Sequence, residues 1–161
     1  NFEIRVDLLK ESFHGMLELS DRESWSPIIN IDPRDFHKLC DNIIDNAQRH
    51  GFEGFTQKNP TIRIDVSYDN SEGMLCVGVA NNGRNFPNDF ESEHYFQRGE
   101  TAGRTGHSGI GGYHIKTIMD HAEGQAVVNN LDALAPDVSD VNNHPDDHFP
   151  VKVHLYFPFL S

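Results

Sequence analysis

Apolar side chains recur at Phe36, Leu39, Cys40, Ile43, Ile44 and Ala47. The spacing i, i+3, i+4, i+7, i+8, i+11 is the stripe of a helix lying on a core. Asp32 suits its N-cap, Pro33 its first position and Gly51 its stop. Further on the period changes from helical to alternating. TIRIDVSYDN alternates Ile62, Ile64, Val66 and Tyr68 with polar neighbours, and GMLCVGVANN continues after the SEG turn, which predicts an antiparallel hairpin. A second helix is predicted over 109–122, with Ile110, Ile115, Ile118, Met119 and Ala122 on one side and Gly124 as its stop. QAVVNN and VKVHLYFPFL read as closing strands, SPIINID as a short strand before the first helix, and a lead-in helix is expected over 6–13.

Strands clustered away from strict β-α-β alternation predict an α+β fold. The expected form is a two-layer α/β sandwich, a mixed but mostly antiparallel sheet of about five strands covered on one face by about three helices. With 161 residues the chain reads as a single domain, 1–161. Residues 1–31 would supply the lead-in helix and strand. Gly99, Gly103, Gly106, Gly109, Gly111 and Gly112 mark a glycine-rich lid, 97–108, that opens a helix. Residues 131–149 carry five aspartates and no Lys or Arg, the signature of a solvated acidic insertion. His144, Asp146, Asp147 and His148 within or beside it are metal-ligating types, but in no recognised ligand spacing.

Charge and cysteine content narrow the setting. With 25 acidic against 13 basic side chains the formal charge is −12, which opposes binding to nucleic acid or an anionic membrane. A bound polyanion must therefore meet a small local site. No apolar run reaches the length of a membrane span, so the segment itself is not expected to be membrane-inserted. Cys40 and Cys76 fall in apolar patterns and read as buried thiols of a reducing, cytoplasmic setting. The chain opens on NFEIRVDLLKESF without an initiator methionine, as a piece excised from something longer would.

At about 100° per residue, Asn42, Asn46 and Arg49 fall within roughly 60° of one another beside the apolar stripe. That face can hold a metal and a phosphate. Two other segments could join it: VANNGRNFP, a strand ending in a turn of residues that tolerate positive φ, and TGHSGIGGYHIK, glycines opening a helix whose N–H groups favour phosphate. No G-x-x-x-x-G-K-[ST] phosphate loop is present.

In this order the three segments resemble the ATP-binding catalytic domain of sensor histidine kinases, in the superfamily shared with gyrase-type topoisomerases, mismatch-repair ATPases and ATP-driven chaperones (the Bergerat fold). The resemblance spans roughly residues 32–124. It implies that NIIDNAQRH is the N box, with Asn46 ligating Mg²⁺ on ATP, Asn42 assisting, and Arg49 facing the phosphates ahead of His50. NNGRNFP resembles the G1 box. Asn81 stands where an adenine-reading aspartate is usual, Gly83 matches the first glycine, Asn85 replaces the second, and Phe86 follows. An amide can be turned to donate or to accept, so Asn81 is expected to discriminate ATP from GTP less sharply than an aspartate. HYFQRGE resembles the F box, with Phe96 near the lid hinge and Arg98 a nearby cation. GHSGIGG resembles the G2 box, implying nucleotide contact from Gly106, Ser108, Gly109, Ile110 and Gly111, with Arg104 a second lid cation.

The resemblance implies a protein histidine kinase that binds Mg-ATP and donates the γ-phosphate to a histidine. That acceptor would sit on a separate dimerisation/phosphoacceptor domain of the same parent, with a response-regulator receiver domain downstream. Positioning and charge neutralisation are then the domain's contribution. Asn42 stands where the gyrase and chaperone branch has a hydrolytic glutamate, and an amide is no base near neutral pH. Phosphoryl transfer is thus expected over ATP hydrolysis. Among ten histidines none lies in an acceptor motif, so the segment alone is expected to bind ATP without phosphorylating itself. The alternative expectation is a nucleotide-sensing conformational module with weak or no transfer.

Overall fold

The computed structural model describes residues 3–8, 28–54, 59–69, 71–86, 90–98, 110–130 and 148–160. Along them run β1 (Glu3–Leu8), β2 (Ile28–Ile29), α1 (Pro33–Asn46), a π-helical turn (Ala47–Gly51), β3 (Thr61–Asp69) and β4 (Met74–Asn81). A 3₁₀ turn (Ser92–Phe96), α2 (Gly111–His121), β5 (Gln125–Asn130) and β6 (Val151–Leu160) follow. All six strands join one sheet, ordered β1-β3-β4-β6-β2, with β5 also pairing β6. The β1–β3 pair is parallel and the others are antiparallel. The expected α+β sandwich with a mixed, mostly antiparallel sheet is the fold observed.

One detail differs from expectation. The sheet has six strands because residues 6–8, placed by the pattern in a lead-in helix, belong to β1; the remainder of that helix, 9–13, lies outside the described residues. Ile4, Val6 and Leu8 alternate with Arg5 and Asp7, a period of two that a strand satisfies and a helix does not. Among the described residues there are two α-helices, and α1 is lengthened by the π turn.

Local chemistry sets the ends of these elements. Asp32 caps α1 as expected, its side chain accepting from the Arg34 N–H at 2.8 Å ahead of Pro33. In the β3–β4 hairpin the Asp69 carboxylate accepts from the Ser71 N–H at 2.9 Å and its hydroxyl at 2.6 Å. Gly73 closes the turn at φ +66, a conformation that glycine adopts without a Cβ penalty.

The hydrophobic core lies between one face of the sheet and the two helices. Leu39 and Ile43 of α1 and Ile115, Ile118 and Met119 of α2 meet Leu75, Val77, Val128, Val153, Leu155 and Phe157 of the sheet. Burying each such side chain contributes about 1.5–3 kcal/mol. At one end of the sheet, Ile62, Asn81 and Val151 stand in register across β3, β4 and β6. The row is apolar except for one amide.

The opposite face carries polar groups. Asp65 and Lys152 form an ion pair of 2.9 Å, and His154 approaches the Cys76 sulfur at 3.7 Å while stacking on Tyr156. Burial holds the His154 pKa below the usual 6.5, and Lys152 adds repulsion. The unfolded chain then takes up this proton first as pH falls, so the stability tied to neutral His154 is complete above 6.5 and declines below it. Thermal melts from pH 7.5 to 5.5 should show a smaller loss of Tm for His154→Gln than for the native chain; equal losses would exclude the effect.

Candidate nucleotide site

The row Ile62–Asn81–Val151 forms one wall of a cleft with about 590 Å³ of empty space, part of it open to solvent. Ile43, Ala47, Val79 and Val153 extend the apolar lining, and Asn46, His50, Arg84, Asn85, Phe86 and Tyr95 supply its rim and polar points. A mostly apolar slot with few polar groups suits a planar ring that is oriented by one or two hydrogen bonds.

The asparagines of α1 lie at one end of this cleft. The Asn46 Nδ2 donates to the Tyr95 hydroxyl at 2.8 Å, and the Asn42 Nδ2 donates to the Lys38 carbonyl at 2.8 Å. Both amide nitrogens are thus occupied. Both amides border Gly111, the first residue of α2: a Cβ there would stand 3.1 Å from Asn46 Oδ1, 3.4 Å from Asn46 Nδ2 and 3.6 Å from Asn42 Oδ1. Neither oxygen has a partner among the described residues. Two hard, neutral oxygens beside a side-chain-free helix start fit a Mg²⁺ ion that takes its remaining ligands from phosphates and water. Among the described residues no group of three or more His, Cys, Asp or Glu could hold a metal instead.

Tyr95 links this end of the cleft to the start of the lid. Its ring meets Phe96 edge-on at 5.0 Å and Phe86 at 5.8 Å, while Phe86 stacks on Phe90 at 4.0 Å. Enclosure pushes the phenol pKa up to about 12, against a smaller lowering by Asn46, so the hydroxyl stays protonated and fixed. Gly112 is buried against the Tyr95 carbonyl, closely enough that a Cβ would strike it. Replacing Tyr95 by Phe strands the Asn46 amide nitrogen at a cost of about 1–3 kcal/mol and releases the Asn46 rotamer. The expected result is a Mg-nucleotide affinity about tenfold lower, from ~1.4 kcal/mol of lost orientation; titration calorimetry showing native affinity would refute this role.

The NNG turn is fixed by side-chain and backbone hydrogen bonds. Asn82 is buried, accepting from the Thr61 N–H at 2.8 Å and donating to the Asn59 carbonyl at 2.9 Å. Gly83 lies against the Gly51 backbone where any Cβ would collide, and the Arg84 N–H donates to the Gly51 carbonyl at 3.0 Å. Asn81 Oδ1 accepts from the Gly83 N–H at 3.1 Å.

Of the residues expected at a site, Asn46, His50, Asn81, Asn85 and Phe86 line the cleft, and Asn42, Gly83 and Gly111 adjoin them. Ile110 precedes α2 and is half-buried, and Phe96 sits in the aromatic cluster. Arg49 is absent from the lining; it makes a long contact, 3.9 Å, with Asp45 at the surface. The π turn, closed by the Phe52 N–H on the Ala47 carbonyl at 2.9 Å, adds a residue and breaks the 100° phase that had aligned Arg49 with the asparagines. Arg98 is exposed, while Arg104, Gly106, Ser108 and Gly109 lie outside the described residues, as do most of the lid and of the acidic insertion. Of the four metal-ligating types noted there, only His148 is described. Tyr95 and Arg84 were not singled out from sequence. The one weak signal for Tyr95 was its place beside Phe96 in HYFQRGE.

Sheet end, amide-bearing helix and glycine-opened helix together build one cleft on an α+β sandwich. The chain belongs to the histidine kinase-, DNA gyrase B- and HSP90-like ATPase family, whose model matches residues 31–158. A probable C4-dicarboxylate sensor kinase of Bacillus subtilis (strain 168) is 30% identical over 105 residues, 63% of this chain; the match spans 18% of that relative's length. In fold the chain is similar to a mycobacterial sensor histidine kinase, MprB, with a TM-score of 0.61 at 16% identity over 98% of this chain and 82% of that one. It is also similar to full-length ShkA in complex with AMPPNP, with a TM-score of 0.60 at 16% identity over 100% of this chain and 26% of that one. Among the described residues no helix is long and apolar enough to cross a membrane.

Proposed function

We propose that the domain binds Mg-ATP and donates the γ-phosphate to a histidine on a separate dimerisation/phosphoacceptor domain of a two-component sensor kinase. The observation that carries this reading is the pair of amide oxygens, Asn42 and Asn46, beside Gly111 with their nitrogens anchored elsewhere. Family membership and the sensor-kinase relative support it, as does the nucleotide analogue held by the ShkA structure of similar fold.

In this reading the apolar slot takes the base and the triphosphate runs toward α2. A Mg²⁺ ion would be held by Asn46 Oδ1 with Asn42 Oδ1 beside it, and would supply positive charge against the charge that builds up in transfer. Tyr95 holds Asn46 in place. Among the described residues, Arg84 on the cleft rim and Arg49, half-exposed and only loosely paired with Asp45, are cations available to a phosphate. Asn42 carries no basic lone pair to activate water, so the γ-phosphate survives until an imidazole presents itself. The receiver domain of a response regulator would then take the phosphoryl group from that histidine.

The test pairs two measurements. Calorimetry should find ATP binding that strengthens with Mg²⁺, and radiolabelled ATP should label an added phosphoacceptor domain but not this segment alone. Binding without any transfer to the parent's own acceptor domain would favour a nucleotide-sensing module instead.

A further inference from the structure

Arg84 follows the NNG turn directly and lines the cleft while remaining exposed. Its N–H donates to the Gly51 carbonyl at 3.0 Å, which pins the residue to the end of the π turn. The side chain reaches further the same way. Its Nη2 lies 3.0 Å from where a Cβ on Gly54 would stand, and Gly54 adopts φ +65, a conformation that favours glycine in any case. No carboxylate claims the guanidinium. Glu53 precedes Gly54 in the chain, yet Arg84 forms no ion pair and no side-chain hydrogen bond among the described residues.

Residues already placed distinguish the two ends of the cleft. Asn42 and Asn46 beside Gly111 mark the metal end. Asn81 marks the other, since a Cβ on Gly51 would stand 2.8 Å from its Oδ1. From Asn46 to Gly51 a helix advances about 7 Å, a step comparable with the separation between the base and the β-phosphate of a nucleotide. Arg84 touches Gly51 and Gly54, so it belongs with Asn81 and not with Asn46.

We infer that Arg84 binds the base end of the nucleotide, its guanidinium lying against the purine ring, so that of the two rim cations only Arg49 is left for a phosphate. This rests on the nucleotide-binding reading above. A guanidinium is flat and weakly hydrated, so it sheds water readily against an aromatic ring, whose π face attracts a cation. The apolar lining offers a base burial; Arg84 adds an attraction that only an aromatic ring returns. The contact is indifferent to ring N1 and to the 6-substituent. It therefore strengthens ATP binding without setting a preference among purines.

Calorimetry with ATP, ADP and inorganic tripolyphosphate, each with Mg²⁺, separates the two ends, because tripolyphosphate carries a charged chain without a base. Arg84→Ala is expected to weaken ATP and ADP by the same factor, about fivefold, and to leave tripolyphosphate unchanged. Arg84→Lys keeps the charge but not the plane, and should lose nearly as much. A phosphate contact predicts the reverse: native ATP affinity in Arg84→Lys, a larger loss on ATP than on ADP, and a loss on tripolyphosphate. Any of these would overturn the inference, as would native ATP affinity in Arg84→Ala. The lysine variant and the ATP-to-ADP comparison decide the matter even if tripolyphosphate binds too weakly to titrate. Both variants retain the backbone bond to Gly51, so their Tm should match the native chain. Failure of the native chain to bind ATP or ADP would overturn the nucleotide reading itself, a result distinct from an unchanged affinity in the variants.

Discussion

Asn46→Ala should lower Mg-nucleotide affinity about a hundredfold, equivalent to ~2.7 kcal/mol. The substitution deletes the oxygen that borders Gly111 and also the amide nitrogen that binds Tyr95 at 2.8 Å. Loss of a hard ligand removes much of the metal's contribution to phosphate binding, and loss of the Tyr95 bond leaves a protonated hydroxyl without its partner. Helix α1 itself should persist, because alanine is the best helix former and Leu39 and Ile43 keep their burial. The diagnostic feature is the metal dependence. With EDTA the native and Asn46→Ala chains should converge on the same weak affinity. A hundredfold gap that persisted without Mg²⁺ would show that Asn46 acts on the nucleotide directly, and native affinity would remove the site from α1 altogether.

Two adjacent glycines at the start of α2 should respond to the same methyl group to very different degrees. Gly112→Ala is expected to destabilise by about 2 kcal/mol, a Tm lower by roughly 4–8 °C for a chain of this size. Helix propensity alone would make the change favourable by about 1 kcal/mol. The new Cβ, however, meets the backbone carbonyl of Tyr95, which cannot rotate aside as a flexible side chain would. Relief requires α2 and the 3₁₀ turn to separate, and Asn46 loses its anchor in the process. Gly111→Ala places its Cβ 3.1 Å from Asn46 Oδ1, a movable side chain, so the fold should tolerate it with Tm lowered by no more than about 2 °C, the equivalent of ~0.5 kcal/mol. Its effect falls on binding, since the methyl occupies the space that both amide oxygens border. Differential scanning calorimetry and nucleotide titration on both variants separate the two outcomes; equal Tm losses would contradict this account.

What was legible in the sequence was what is encoded locally. The α1 stripe, the Asp32 cap, the alternation in β3 and the breaks at Gly51, Gly73 and Gly124 each act within a few residues, and a pattern reading captures them. Strand β1 was missed because its alternation is brief and its parallel partner, β3, lies more than fifty residues along the chain. Parallel pairing leaves no turn signal nearby. Arg49 was aligned with the asparagines on the assumption of uninterrupted 3.6-residue turns, which the π turn after Asn46 does not keep. Tyr95 lines the candidate site and reaches Asn46 across 49 residues, a contact that no spacing rule contains. The Asn81 orientation belongs to the same class. Residue type permitted either face of the amide, and the Gly83 N–H selects one.

Strand β6 pairs with β2, β4 and β5 and also supplies Val151 and Val153 to the cleft wall. Each of these pairings spans a long stretch of chain, so the loop-closure entropy must be met before any of them forms. The cleft wall is therefore among the last surfaces to be completed as the domain folds. Once formed, it belongs to the most cooperative part of the sheet, whose backbone amides exchange with solvent only when the whole domain opens. Amide exchange at Val151 and Val153 consequently reports the global unfolding free energy, and nucleotide binding at the cleft should slow it in direct proportion to ligand occupancy.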